Sequence, residues 1–194
     1  MDGLLQTFIT LFVVMDPIGN LSLFTSLTKG MPLNDIKKNV NRSMIVASIL
    51  LFVFLFLGLK IFSFFSINLN SFQIAGGIIL LIIAVMYVLG TYQKLIKSHG
   101  SDLSVPIGTP LITGPGVITT TIILVNENGP YVTVIAAALT LLATWIILMF
   151  SSRLFKLLGE HWIDVISRVM GIILAAIAVE FITKGISGIV SQIL

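Results

Sequence analysis

The sequence predicts an all-α membrane protein, and both its composition and its long apolar runs support that class. Hydrophobic residues make up 57% of the 194 residues and charged residues only 10%, with a mean hydropathy of +1.11. Soluble domains carry roughly 25% charged residues. A chain this poor in charge cannot cover a water-soluble core, so a soluble enzyme and a nucleic-acid-binding protein are both excluded.

Six apolar runs predict six transmembrane helices, because a spanning helix needs about 20 apolar residues. The first run follows an amino end without Lys or Arg, so we expect it to be kept as a span and not removed as a signal peptide. The chain left over is too short for an extramembrane domain. The six runs cover about 4–27, 43–62, 72–92, 105–125, 131–150 and 165–186.

The positions of Lys and Arg predict the orientation of these helices. Three connections on one side of the membrane carry most of the cations, whereas the other side has Lys60 and Lys184. Cytoplasmic loops are the ones enriched in Lys and Arg. The basic side is therefore predicted to be cytoplasmic and both termini to lie outside. The cations assigned to the basic side are Lys29, Lys37, Lys38, Arg42, Lys94, Lys97, Arg153, Lys156 and Arg168.

An internal repeat relates the two halves of the chain. The segments 77–85 and 171–179 match at seven of nine positions with an offset of 94. Proline pairs support the repeat, because Pro17 and Pro115 are 98 residues apart, as are Pro32 and Pro130. An odd number of helices in each copy inverts the second copy in the membrane. We therefore expect two inverted three-helix repeats, residues 1–97 and 98–194, within one membrane domain.

The first predicted span is interrupted near its middle. The interruption reads Asp16-Pro17-Ile18-Gly19-Asn20. Proline removes a backbone donor and glycine weakens a helix, so two half-helices are expected. Asp followed by Pro also matches an N-cap followed by the first helical residue of the second half.

The fourth predicted span carries a similar interruption. It contains Thr109-Pro110 and Thr113-Gly114-Pro115-Gly116, and Pro115 is placed to start a half-helix that runs into Ile118-Thr119-Thr120-Thr121. Discontinuous helices in corresponding places of two halves are the best sequence indication of a transport site. The positive amino ends of such half-helices favour an anionic group such as a carboxylate.

Two acidic residues are expected at membrane depth, where a carboxylate is costly and is a functional candidate by default. Asp16 is either a helix cap or a coupling residue, and Glu180 is either a coupling residue or the i,i+4 partner of Lys184. Na⁺ and H⁺ are the candidate coupling ions. The chain has no Cys and two His residues, both in polar connections, so no metal centre and no other cofactor are expected.

With these residues in place, the whole chain resembles the MarC family, also described as SnatA-type neutral amino acid transporters. The resemblance rests on Asp16-Pro17-Ile18-Gly19-Asn20, on the segment 110–120, and on Leu158-Gly159-Glu160 followed by Arg168-Val169-Met170-Gly171. It implies a six-helix inner-membrane protein, some relatives of which are described as transporting glycine and alanine. This chain departs from the family pattern at Ser22 and at Glu180. The residues that the resemblance places in a shared substrate region are Asp16, Gly19, Asn20, Thr113, Gly114, Gly116, Thr119 and Thr120.

These patterns predict a secondary transporter for a small neutral amino acid that works by alternating access. Its expected partners are that solute and membrane lipid, without nucleic acid, and a homo-oligomer is left open. A channel or an exporter for another small solute also fits, since broken helices build selectivity filters too. A structural membrane protein without transport is a further alternative. No nucleophile and His pairing is apparent in the sequence, so no catalytic residue is expected.

Overall fold

The computed structural model describes residues 2–28, 31–91 and 112–193, and within those ranges the chain is helical with no strand. We number the helices in chain order. They are α1 (Asp2–Met15), α2 (Gly19–Leu27), α3 (Leu33–Phe64), α4 (Leu69–Val88), α5 (Pro115–Asn128), α6 (Pro130–Met149) and α7 (Ser151–Ile193).

Within the described ranges, five helical stretches are long and apolar enough to cross a membrane, and they correspond to five of the six predicted spans. The fourth predicted span is described only in part, because residues 105–111 lie outside the described residues. Its described portion, α5, has 14 residues. At 1.5 Å per residue it reaches about 21 Å, less than the roughly 30 Å of a hydrocarbon core. The five stretches are Gly3–Leu21, Leu33–Phe64, Leu69–Val88, Pro130–Met149 and His161–Gln192.

Two helices begin earlier than the sequence predicted. The predicted membrane spans start at about 43 and 165, whereas α3 begins at Leu33 and α7 begins at Ser151. Hydropathy detects only the part of a helix inside the bilayer, whereas backbone hydrogen bonds continue the helix through polar turns beyond it. Gly159, with φ 76° and ψ 160°, separates a first segment of α7 from its membrane-crossing part.

Contacts between distant helices define two ends of the bundle. The Asn128 side chain at the end of α5 donates to Thr7 near the start of α1, with an N–O distance of 3.1 Å. Lys184, late in α7, contacts Glu127 at the same end. At the opposite end, a Cβ built on Gly90 would lie 3.3 Å from the guanidinium of Arg168. The start of α1 and the later part of α7 therefore lie at the same end.

Helices α4 and α7 pack antiparallel through glycine. A Cβ on Gly77 would lie 2.8 Å from the carbonyl oxygen of Ala178, and a Cβ on Gly171 would lie 3.1 Å from the carbonyl oxygen of Ala84. Adding 94 to Gly77 gives Gly171, and subtracting 94 from Ala178 gives Ala84. The two contacts are therefore equivalent under the internal repeat. Glycine allows the two backbones to approach closely, which is how membrane helices gain van der Waals contact.

The buried apolar side chains form two clusters. The larger cluster lies among α1, α2, α3, α5, α6 and the early part of α7 and includes Leu11 and Leu51. The smaller cluster joins α4, α5 and α7 and includes Leu80 and Leu174. Val14 packs against both clusters. The chain breaks just after Val14, so the first interruption lies where the two clusters meet.

The glycine contact between α4 and α7 makes a stability prediction. The Gly77→Ala substitution should lower the free energy of unfolding by about 1–3 kcal/mol, because the added methyl group meets backbone atoms of Ala178 that cannot rotate away. Thermal unfolding of the purified protein in detergent measures the change. Gly3→Ala is the control, since its Cβ would lie 3.9 Å from the nearest atom. An equal melting temperature for both variants would contradict the close contact.

Candidate functional site at the two helix breaks

The first break separates α1, which ends at Met15, from α2, which begins at Gly19. Asp16 adopts the left-handed conformation with φ 41°, which Asp tolerates better than most residues. Its Oδ1 accepts a hydrogen bond from the Gly19 N–H at 3.0 Å. The predicted break is present, but α2 begins at Gly19, two residues after the predicted start at Pro17, although Ile18 already has helical dihedrals and the Asn20 N–H donates to the Asp16 carbonyl oxygen at 3.1 Å. The Asp16 carboxylate still accepts a hydrogen bond from the N–H of Gly19, the first residue of α2.

The second carboxylate oxygen of Asp16 has no hydrogen-bond partner among the described residues, although Asp16 is only 3% exposed. Gly19 provides the room for this carboxylate. A Cβ on Gly19 would collide with Asp16 and would lie 3.0 Å from the hydroxyl of Ser167 on α7. The Asp16 carboxylate is therefore held between the first break and α7, with one oxygen committed and one unpaired.

Asn20 connects the first break to α4. Its amide nitrogen donates to the carbonyl oxygen of Met15 at 3.0 Å, which satisfies an acceptor that the break leaves without a helical partner. The hydroxyl of Tyr87 donates to the Asn20 amide oxygen at 3.3 Å. Sequence reasoning missed Tyr87. The available signal was that a buried tyrosine in an apolar helix needs a partner for its hydroxyl.

At the second break, α5 begins with Pro115, as predicted, and Gly114 is its N-cap. No side chain of the described residues caps α5. The first N–H groups of a helix have no acceptor within it, so the start of α5 offers donors. Thr113, just before the helix, donates from its hydroxyl to the carbonyl oxygen of Ala47 at 3.0 Å, which fixes the break against α3.

The two breaks lie next to each other. A Cβ on Gly116 would lie 3.7 Å from Val14 at the end of α1 and 2.5 Å from Leu80 on α4. Thr119, one turn further along α5, contacts Gly76 of α4 so closely that a Cβ there would collide with it. The structure thus brings the first-break and second-break residues of the predicted site to adjoining positions.

Among the described residues, buried polar atoms without hydrogen-bond partners occur at the first break and on α2, α3 and α5. Besides Asp16 Oδ2, they include the hydroxyls of Thr120, which is 0% exposed, and Ser43, which is 1% exposed. Ser43 lies one turn before Ala47, the acceptor of the Thr113 hydroxyl, and the sequence analysis did not select it. An unpaired buried polar group costs about 1–3 kcal/mol. Such groups in the interior of a membrane protein call for a ligand or water, because lipid offers no hydrogen bonds.

Glu180 is not brought to the breaks. Its side chain is 62% exposed and lies 3.6 Å from Lys184, which also bonds to Glu127 at 3.1 Å. This ion-pair group lies at the end of the bundle that holds the start of α1. In the described part of the chain, no three His, Asp or Glu side chains are grouped so that they could hold a metal ion.

Comparison with known proteins decides the family. The family model described as "MarC family integral membrane protein" matches residues 1–190. The chain belongs to the MarC family. Among its relatives, a UPF0056 membrane protein of Archaeoglobus fulgidus is 35% identical and aligns over 93% of this MarC chain and 91% of its own length. The UPF0056 inner membrane protein YhgN of Escherichia coli K12 is 31% identical over 96% and 97%. No solved structure matches the chain.

Substitutions of Asp16 distinguish its role as a helix cap from the contribution of its charge. Asp16→Asn should leave the free energy of unfolding within about 1 kcal/mol of the native value, because Asn tolerates a positive φ and keeps an acceptor for the Gly19 N–H. Asp16→Ala should lower the free energy of unfolding by about 1–2 kcal/mol. The substitution removes the cap, and alanine at φ 41° has no side-chain hydrogen bond to offset the strain. Thermal unfolding in detergent measures both. Equal losses for Asn and Ala would show that the charge itself stabilises the fold.

Proposed function

We propose that this MarC protein is a secondary transporter that moves a small neutral amino acid, of the glycine or alanine type, across the cytoplasmic membrane. The observation that carries the proposal is the meeting of two interrupted helices inside the bundle, together with buried polar atoms that lack partners among the described residues. Interrupted helices are the usual way in which transporters form a solute site at membrane depth. The proposal includes no catalytic step.

The donor and acceptor groups at the breaks suit a zwitterion. The uncapped start of α5 offers N–H donors and a partial positive charge to the carboxylate of the solute. The unpaired Asp16 Oδ2 is a matching acceptor for its ammonium group, or for a coupling Na⁺ or H⁺. Gly116 is already in contact with Leu80, so the space beside the donors suits a solute with a small side chain.

Alternating access is proposed because the site is closed off in this conformation. Asp16, Thr113 and Thr120 are each 3% exposed or less. A solute could reach them only if helices move apart on one side of the membrane and then on the other. The many glycine contacts between α4 and α7 provide a surface on which two units can rock.

The moving units are proposed to be the two inverted repeats, residues 1–97 and 98–194. The exchange of the Gly77 and Gly171 contacts by a shift of 94 supports this division, since a two-fold axis between antiparallel helices would produce it. The half-helices support it too, because α2 packs on α7 and α5 packs on α4. An axis of this kind lies in the membrane plane, as in inverted-repeat transporters.

For the location, we propose the cytoplasmic membrane with both termini outside. The printed name of the E. coli relative describes an inner membrane protein. The basic residues near the start of α3 and the start of α7 lie at the end of the bundle opposite the start of α1, which agrees with cytoplasmic loops rich in Lys and Arg.

Uptake of radiolabelled glycine or alanine into proteoliposomes tests the function. The native protein should concentrate the solute when a Na⁺ or H⁺ gradient is imposed, and Asp16→Asn should reduce the initial rate at least tenfold because it removes the charge that meets the ammonium group or the ion. Asp35→Asn is the matched control, since Asp35 is exposed in the first turn of α3. Equal uptake by Asp16→Asn and the control would reject the site. Flux that never exceeds equilibrium would favour a channel.

Glu180 and Asp16 are expected to differ in the same assay. Glu180→Gln should keep at least half of the native uptake rate, because Glu180 is exposed and its partner Lys184 retains Glu127. The pH and Na⁺ dependence of uptake should also stay unchanged in this variant. A Glu180→Gln protein that transports without its gradient dependence would place coupling at Glu180.

A further inference from the structure

A surface groove lies between α3 and α6, away from the helix breaks. It consists of two hollows of about 490 and 410 Å³, which meet at Trp145 because this side chain lines both. We call it the α3–α6 groove. One hollow is bordered by Ile45 and Ile49 of α3, and the other by Lys37 near the start of α3 and by Arg153 near the start of α7.

The end of the groove near the start of α3 is basic. Lys37 and Arg153 both line it and both are exposed. Neither has a carboxylate within salt-bridge distance in the described ranges. The Arg153 guanidinium carbon lies 5.8 Å from the ring centre of Phe150, so the guanidinium is held over the groove wall, and its N–H groups have no acceptor among the described residues. The hydroxyl-bearing Ser152 lines the same hollow.

The other end of the groove is apolar and open. Ile45 and Ile49 are 60% and 58% exposed, so an adjoining aliphatic chain can cover them. Trp145 stands between the two ends, and its indole N–H donates to the Asn41 side chain at 2.8 Å. Tryptophan favours the level of the membrane where head groups meet acyl chains. Along the groove, cations are followed by an indole and then by aliphatic side chains.

We propose that the α3–α6 groove binds one anionic phospholipid, with the phosphate between Lys37 and Arg153 and an acyl chain over Ile45 and Ile49. The order of chemistry along the groove is that of the lipid itself, from head group to interface to hydrocarbon. The two unpaired cations supply the charge complementarity, and basic pockets between membrane helices are suited to acidic head groups. The site is separate from the proposed transport site and does not rest on it.

Native mass spectrometry of the full chain in detergent tests the proposal. Phosphatidylglycerol and phosphatidylcholine with the same acyl chains are titrated, and the fraction of protein carrying one lipid is measured. Phosphatidylglycerol should bind the native protein more tightly than phosphatidylcholine does. Lys37→Gln and Arg153→Gln should each weaken its binding roughly fivefold, and the double variant roughly thirtyfold, as expected for the loss of one and of two cations at a membrane surface.

The double variant Lys38→Gln with Lys156→Gln is the matched control. It removes the same charge from exposed residues that do not line the groove. The proposal is supported if the control binds phosphatidylglycerol as the native protein does. Equal losses in the control, or equal binding of the two lipids, would overturn it by showing a diffuse charge effect or an unselective apolar surface. Competition by soluble glycerol phosphate at the concentration of the lipid would also overturn it, because it would indicate a small-anion site.

Discussion

The need to satisfy every backbone polar group without water is the constraint on which the rest of this structure depends. Interrupting a helix inside the bundle leaves donors and acceptors without helical partners. Here the Asp16 carboxylate accepts a hydrogen bond from the Gly19 N–H, and the Asn20 side-chain amide donates one to the Met15 carbonyl oxygen. Asn20 also accepts a hydrogen bond from the Tyr87 hydroxyl. The residue that satisfies the backbone at the first break therefore also fixes this break to α4. The break is therefore held by side chains of its own motif together with one helix from a distant part of the chain.

A repaired break occupies space, and glycine on the neighbouring elements provides it. Gly19 makes room for the Asp16 carboxylate, Gly76 for Thr119, and Gly116 for Leu80. In each case a methyl group would meet an atom of the site or of the helix packed on it. The same small residues that allow helices to approach in the membrane thus also decide how closely the two breaks meet. The packing of the helices and the geometry of the two breaks are therefore coupled, so that a substitution at one of these glycines should alter both.

Much of this architecture could be read from the sequence, because hydropathy and helix-breaking residues act locally. The fifth span, predicted at 131–150, is α6 at Pro130–Met149, and the prolines and glycines placed both breaks. The partners could not be predicted in the same way, since Tyr87 lies 67 residues from Asn20 in the chain. Ser43 and Ser167 carry no local signal beyond being small and polar. For Glu180 the sequence left two roles open, coupling or an i,i+4 pair with Lys184, because it does not show that this pair is exposed at the end of the bundle.

The two interpretations of Asp16, as a cap and as a functional carboxylate, are compatible because its oxygens have different surroundings. Oδ1 is committed to the Gly19 N–H, whereas Oδ2 is buried without a partner in the described part of the chain. A cap alone needs one acceptor, which Asn or Ser would provide without leaving a second oxygen unsatisfied. The positive φ of Asp16 does not distinguish the two roles, because the residue that follows a helix end commonly adopts the left-handed conformation. The unpaired oxygen is therefore the feature that a structural role leaves unexplained and that a bound cation or ammonium group would satisfy.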